Sequence, residues 1–268
     1  MLKQRILTAV LLAPIVLLII WYGNDLVFSL FTSLLALLIA FEWCQIVRNN
    51  KVNSWIISIS IALSIFLLKY ASFIVIDVQR ILISSLVLWI ICFLWLLKPE
   101  QGKNKLTIKY ALAVGIIMLF GASLISIHQL PEKGVMLTLV LFMLVWIADI
   151  GAYIAGKSFG KHKLAKKVSP GKTIEGFLGG ILLACILMML AGNYLQWSSE
   201  QMFNAILVTI LITIVSVIGD LSESMFKRQA GVKDSGHILP GHGGILDRID
   251  SLTATTPIFA LCYLYFGW

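Results

Sequence analysis

Nine apolar runs, each long enough to cross a bilayer, follow one another along this chain of 268 residues, and no other feature restricts its possible folds so severely. They fall at about 6–22, 25–47, 54–76, 80–97, 107–129, 135–156, 174–195, 201–222 and 252–267. A hydrocarbon core of about 30 Å takes about 20 apolar residues wound as a helix. Within it every backbone N–H and C=O must find a partner inside the protein, which leaves helices or closed barrels. The expected fold is therefore all-α: a polytopic transmembrane helix bundle of about nine spans with a cytoplasm-facing polar active site. Residues 1–130 are expected to form an N-terminal bundle of about five spans. Residues 131–268 are expected to form a C-terminal catalytic region of about four.

Composition agrees. The chain is 59% hydrophobic and 13% charged, whereas soluble domains carry about a quarter charged residues. The opening run, from Lys3 and Arg5 to Trp21, lacks a small-x-small cleavage site, so it reads as a retained first span rather than a signal peptide. Glu42 and Lys69 interrupt the second and third runs, which leaves a re-entrant segment open for one of them; residues 54–97 also allow a different division around Asp77. Cys44, Cys92, Cys185 and Cys262 all lie in apolar runs without CxxC spacing, as packed thiols do.

Threading the nine spans sorts the 21 Lys and Arg residues with strong bias. Eighteen fall on one side, only Arg80 and Lys133 fall on the other, and Lys69 lies within a span. The positive-inside rule then puts the N-terminus in the cytoplasm, the C-terminus outside, and the basic loops facing the cytoplasm. The net charge of +8 is spread over separate inter-helix loops, so it is no sign of nucleic-acid binding. The longest basic stretch, 157–172, fits a topology determinant as well as attraction to anionic lipid headgroups.

Polar chemistry collects between Asp220 and Asp250. Asp220, Glu223, Ser224 and Lys227 stand at i, i+3, i+4 and i+7, on one face of a helix that continues the eighth run. Gly236, Pro240, Gly241, Gly243 and Gly244 then break the helix and make a tight loop. Asp247 and Asp250 follow, three apart at the start of the next helix. Paired acids folded across such a loop suit Mg²⁺, which takes one or two carboxylates together with substrate phosphates. Lys227, Arg228, Lys233 and Arg248 suit phosphate. His237 and His242, five apart without a nearby cysteine, are weak evidence for zinc, and His242 reads better as a phosphate donor or loop-orienting residue.

Two further constellations lie upstream. Asp149 sits inside an apolar run, where an ionisable residue is a functional candidate by default; small neighbours at Gly151, Ala152, Ala155 and Gly156 also permit close helix packing. Ser169-Pro-Gly-Lys172-Thr173 is not a P-loop, because Lys166 stands where the first glycine belongs and no strand is expected before it. With a helix starting near Pro170, its free amides, Lys172 and Thr173 can hold a phosphate; capping by Ser169 or Thr173 is the plainer role.

Ser224, Phe226, Lys227-Arg228, Lys233-Asp234, Gly236, Leu239-Pro240, His242-Gly-Gly-Ile245 and Asp247-Arg-Ile-Asp250 together resemble the diagnostic motif of phosphatidate cytidylyltransferases, the CDP-diacylglycerol synthases. The segments around Trp146–Tyr153, Ser169–Gly176 and Gly219–Ser224 are similar to the same family. This likeness is strong over the C-terminal half; the first 130 residues are similar only in being a hydrophobic bundle. The resemblance implies transfer of a cytidylyl group from CTP to phosphatidate, with release of pyrophosphate. Mg²⁺ and a second, monovalent cation such as K⁺ are its implied cofactors, membrane lipids its surroundings, and a homodimer in the inner membrane its implied assembly.

On this reading Asp220, Asp247, Asp250 and Ser224 hold cations, with Glu223 adjacent. Lys227 and Lys172 complete the catalytic set. Asp149, Ser169, Thr173, Arg228, Lys233, His242 and Arg248 join Glu223 and Ser224 in binding substrate. Two other classes compete: a CTP-dependent polyprenol or phytol kinase, which would need a general base for its alcohol, and an ion-coupled transporter with a path through Asp149, Glu175 and Asp220. The CDP-alcohol phosphotransferases are disfavoured because their DGxxAR opening is absent.

Overall fold

The computed structural model describes residues 2–48, 51–68, 78–103, 105–239 and 243–266. These form nine helices: α1 (Leu2–Tyr22), α2 (Asp25–Arg48), α3 (Lys51–Leu68), α4 (Val78–Leu97), α5 (Leu106–His128), α6 (Gly134–Phe159), α7 (Ile174–Tyr194), α8 (Ser199–Gln229) and α9 (Leu246–Phe266). One antiparallel hairpin, β1 (Lys163–Ala165) and β2 (Ser169–Thr173), stands between α6 and α7. Among the described residues α2, α5, α6, α7 and α8 are long and apolar enough to cross a membrane, and shorter apolar helical stretches cover Val10–Tyr22, Asn53–Leu67 and Ile83–Leu97. The bundle is thus a membrane protein. Lys69 and Asp77, which bear on how the third and fourth runs divide, lie outside the described residues.

α2 is continuous through Glu42, so the carboxylate that interrupts its hydropathy does not interrupt the helix. α9 is the core helix. Its residues from Ser251 to Cys262 are buried, and it packs against α8, α5, α4, α6 and α2. Protein rather than lipid surrounds it, which is why it tolerates Ser251, Thr253, Thr255 and Thr256 in its buried stretch. Thr255 and Thr256 return their hydroxyls to the carbonyls of Ser251 and Leu252 at 3.0 and 2.7 Å, so these two donors are satisfied inside the bundle.

α6 and α7 make the most extensive pairing in the molecule. A Cβ at Gly180 would sit 2.8 Å from the carbonyl oxygen of Ala148, so this approach needs glycine there. The far end of α8 is locked by Phe226, buried between Trp43 of α2 and Trp95 of α4 with ring centroids 5.3 and 5.5 Å away. Such aromatic pairs contribute about 0.5–1.5 kcal/mol each beyond their area. Here they fix the turn of α8 that carries its charged residues.

The segment 163–173 departs from expectation. A hairpin stands where a helix start was expected near Pro170, and α7 begins only at Ile174. Proline and glycine at positions 170 and 171 suit an exposed two-strand ribbon with free edges. Thr173 is the helix cap: its Oγ1 accepts the Gly176 N–H at 3.1 Å. The four cysteines are free thiols, three of them buried, as their apolar settings imply.

Candidate active site

Four elements converge at one end of the bundle. Asp149 comes from α6, Lys172 from β2, Asp220, Glu223, Ser224 and Lys227 from α8, and Asp247 and Asp250 from the start of α9. Because α8 runs unbroken to Gln229, its four polar residues share one face, as their spacing predicts.

Two lysines hold the cluster together. Lys172 forms an ion pair with Asp220, and the Ser224 hydroxyl donates to the same carboxylate at 3.3 Å. Lys227 donates to Glu223 at 3.0 Å and to Asp247 Oδ1 at 2.5 Å. The other Asp247 oxygen accepts the N–H groups of Ser235 and Gly244 at 2.9 and 2.8 Å. Burial alone would raise the pKa of this carboxyl. The Lys227 ammonium and the two amides outweigh that and hold it below the ordinary carboxylate value.

Asp250 lies against both Asp220 and Glu223. Glu223 Oε1 is buried and has no hydrogen-bond partner among the described residues. Five carboxyl groups therefore meet two ammonium groups in a poorly hydrated site, where Asp220, Glu223 and Asp250 crowd together. An orphaned carboxylate oxygen beside two more acids is the donor set a hard divalent cation takes.

No group of three or more His, Cys, Asp or Glu side chains among the described residues forms a ready-made metal cage. The set expected to share one, Asp220, Asp247 and Asp250, is divided. Asp247 is turned toward Lys227 and the loop amides, while Asp220 turns to Lys172.

Asp149, Lys172, Thr173 and Asp220 line a cleft of about 390 Å³ between α6, α7 and α8. A second cleft of about 700 Å³ adjoins it through Leu164, Phe177 and Val217; its wall is largely apolar and Lys98, Lys166 and Lys167 are among its lining residues. Ser169 opens β2 and is half-buried. Arg228, Lys233 and Arg248 are exposed. Arg228 donates weakly to the Val232 carbonyl at 3.4 Å and lines a small cleft with Lys103 and Lys167. His242 lies outside the described residues.

Glu175 does not join Asp149 and Asp220. It accepts the Lys161 N–H at 3.1 Å, the His162 N–H at 3.2 Å and pairs with the His162 ring at 2.6 Å, tying the approach to β1 onto the start of α7. An ion path through these three acids is therefore not assembled. The residue that sequence reasoning passed over is Glu42, buried at the far end of α2 and bonded to the glycine loop. Its signal was a lone carboxylate in an apolar run.

A bundle of apolar helices closed over a cluster of carboxylates and lysines is an integral membrane protein with a charged candidate site. The chain belongs to the cytidylyltransferase family, which it matches over residues 3–266; it is a nucleotidyltransferase. The likeness thus extends through the N-terminal half, which the sequence motifs alone left outside it. Similar proteins include the phosphatidate cytidylyltransferases of Pseudomonas aeruginosa, 38% identical with 100% of this chain and 99% of the relative covered, and of Haemophilus influenzae, 36% identical with 99% of each covered. That of Staphylococcus saprophyticus is 35% identical over 96% of each chain. Neither a lipid kinase nor a transporter is favoured by these relatives.

Proposed function

We propose that this protein makes CDP-diacylglycerol and pyrophosphate from CTP and phosphatidate. The observation that carries the reading is the cleft lined by Asp149, Lys172 and Asp220, set against the acid-rich group of Asp220, Glu223 and Asp250 and beside a largely apolar cleft. A substrate with an anionic head and apolar tails matches that pairing of surfaces. The names of the relatives supply the particular lipid.

In the reaction an anionic phosphate oxygen of phosphatidate attacks the α-phosphorus of CTP. The bond from that phosphorus to the bridging oxygen breaks, and pyrophosphate leaves with the electron pair. The nucleophile is already ionised, so no general base is required, and positioning and charge neutralisation dominate. Lys172 is placed to exchange Asp220 for a phosphate. Lys227 holds Glu223 and Asp247 in place. Asp220, Glu223 and Asp250 are the residues that would hold Mg²⁺, which would neutralise charge on the phosphates when bound.

The basic asymmetry of the loops supports about nine spans in the inner membrane, with the N-terminus and this site on the cytoplasmic side, where CTP is found, and the C-terminus outside. A homodimer is the assembly suggested by the family resemblance.

Purified protein given labelled CTP, Mg²⁺ and phosphatidate should release pyrophosphate and yield labelled CDP-lipid. Transfer of the γ-phosphate to a lipid alcohol instead, or no turnover of CTP with any phosphatidate, would refute the assignment.

A further inference from the structure

Glu42 is one of the most deeply buried charged side chains described, at 2% exposure, and the reaction as derived has no use for it. Its oxygens hold the glycine loop from a helix about two hundred residues away. Oε1 accepts the Ile245 N–H at 2.9 Å; Oε2 accepts the Leu246 N–H at 2.9 Å and the Ser235 hydroxyl at 2.8 Å. Leu246 is the first residue of α9, so two amides at its start, which the helix cannot satisfy itself, end on a carboxylate supplied by α2. A Cβ at Gly236 would lie 2.7 Å from Glu42 Oε1, and one at Gly244 would collide with Glu42 and Ser235, so the loop backbone is drawn directly onto this side chain.

The loop is gripped from two sides. Glu42 takes Ser235 Oγ and the amides of 245 and 246, while Asp247 takes the amides of Ser235 and Gly244. Ser235 belongs to both grips. Asp250, one turn further along α9, meets Glu223 and Asp220 only while that helix start is fixed.

We infer that Glu42 is a positioning residue for the transfer: through Ser235 and the entry to α9 it sets where Asp247 and Asp250 stand relative to α8. The inference rests on the function proposed above. Glu42 lines neither cleft of the site, so it acts through the loop rather than on substrate.

The test is Glu42→Gln in the full-length protein, which keeps the shape but turns an N–H₂ toward N–H donors. Three quantities are read per folded molecule: kcat with both KM values, the Mg²⁺ concentration for half-maximal rate, and amide hydrogen exchange over residues 243–249. A misplaced reacting group costs on the order of a hundredfold. The expected result is a kcat lower by about tenfold to a hundredfold, KM values changed less than about threefold, a raised Mg²⁺ requirement, faster exchange at Ile245 and Leu246, and partial recovery in Glu42→Asp. If only the yield of folded protein falls, with kcat, Mg²⁺ dependence and exchange unchanged, Glu42 is an ordinary core acceptor and the inference is overturned. Should Glu42→Gln fail to accumulate, Ser235→Ala removes one donor and decides by the same readings: a few-fold fall in kcat supports the inference, and no change overturns it. If the wild-type protein shows no transfer from CTP to phosphatidate, the functional proposal fails by itself, while the exchange rates still report whether Glu42 holds the loop.

Discussion

The site contains two Lys–Asp pairs of the same chemistry and very different surroundings. Lys172 and Asp220 meet across β2 and α8, line the cleft, and keep 27% and 29% of their side chains exposed. Lys227 and Asp247 bridge α8 and α9 with 11% and 7% exposed, and each makes further bonds: Lys227 to Glu223, Asp247 to two loop amides. In the first pair Lys172 has one described bond, with solvent at hand to replace it. The second is saturated and dry. On the proposed function, the contrast separates a pair that substrate would open from one that keeps the two helices in register, although all four residues were expected alike in the catalytic set.

The largest effect should come from breaking the buried pair. Lys227→Met leaves Glu223 and Asp247 without their shared cation between α8 and α9. Removing one partner of a buried ion pair costs about 3–5 kcal/mol. Little folded protein should reach the membrane, and what does should melt well below the wild type in detergent. A variant with wild-type yield and melting temperature would show that the pair does not hold the helices, and the contrast drawn above would collapse.

The open pair should behave in the opposite way. Asp220→Asn and Lys172→Ala should each lower kcat by about a hundredfold or more while yield and thermal stability stay near wild type. The double variant should lose far less than the product of the two, since the residues act together. Lys172→Arg should restore only part of the rate, because a planar fork does not replace a point charge on a flexible stem. Near-normal turnover in Lys172→Ala would leave that lysine only the task of joining the hairpin to α8.

Acid sharpens the comparison further. The folded-state pKa of Asp247 lies below the ordinary carboxylate value. Its contribution to stability is therefore complete above about pH 3.9, the unfolded value, and disappears as pH falls through the lower folded one. Stability measured in detergent should drop for the wild type below about pH 4. Asp247→Asn, already without that charge, should lose less over the same window. Equal losses would remove Asp247 from the acid response.

The apolar periods made the bundle legible, and the i, i+3, i+4, i+7 spacing after Asp220 put four polar residues on the correct face, because both depend only on helix geometry. What was hidden depends on contacts between distant segments. Thr173 reads equally well as a phosphate ligand or a cap, and only the position of Gly176 decides it. Asp247 and Asp250 look equivalent at a spacing of three, yet Lys227 and two loop amides engage one, and Asp220 and Glu223 crowd the other. Glu42 resembled a flaw in a hydrophobic run because its donors stand 193 to 204 residues away. α9 is buried by other helices, so its threonines mark the protein core rather than a weak span.

The smallest effect belongs to the cations that neither pair includes. Arg228 was expected among the phosphate ligands, but its side chain is exposed, its one described bond is a long contact of 3.4 Å to Val232, and the small cleft it lines with Lys103 and Lys167 shares residues with the apolar cleft and none with that of Lys172 and Asp220. An exposed charge outside the cleft of Lys172 and Asp220 acts through its field, which salt screens within about 8 Å at physiological ionic strength. Arg228→Ala should therefore leave kcat and melting temperature within experimental scatter and raise the KM for CTP or phosphatidate by less than about tenfold. That increase should shrink as salt is added, since the lost attraction is already screened there. A drop in kcat comparable to that of Lys172→Ala, persisting at high salt, would place Arg228 on the substrate itself and make the open part of the site larger than the Lys172–Asp220 cleft.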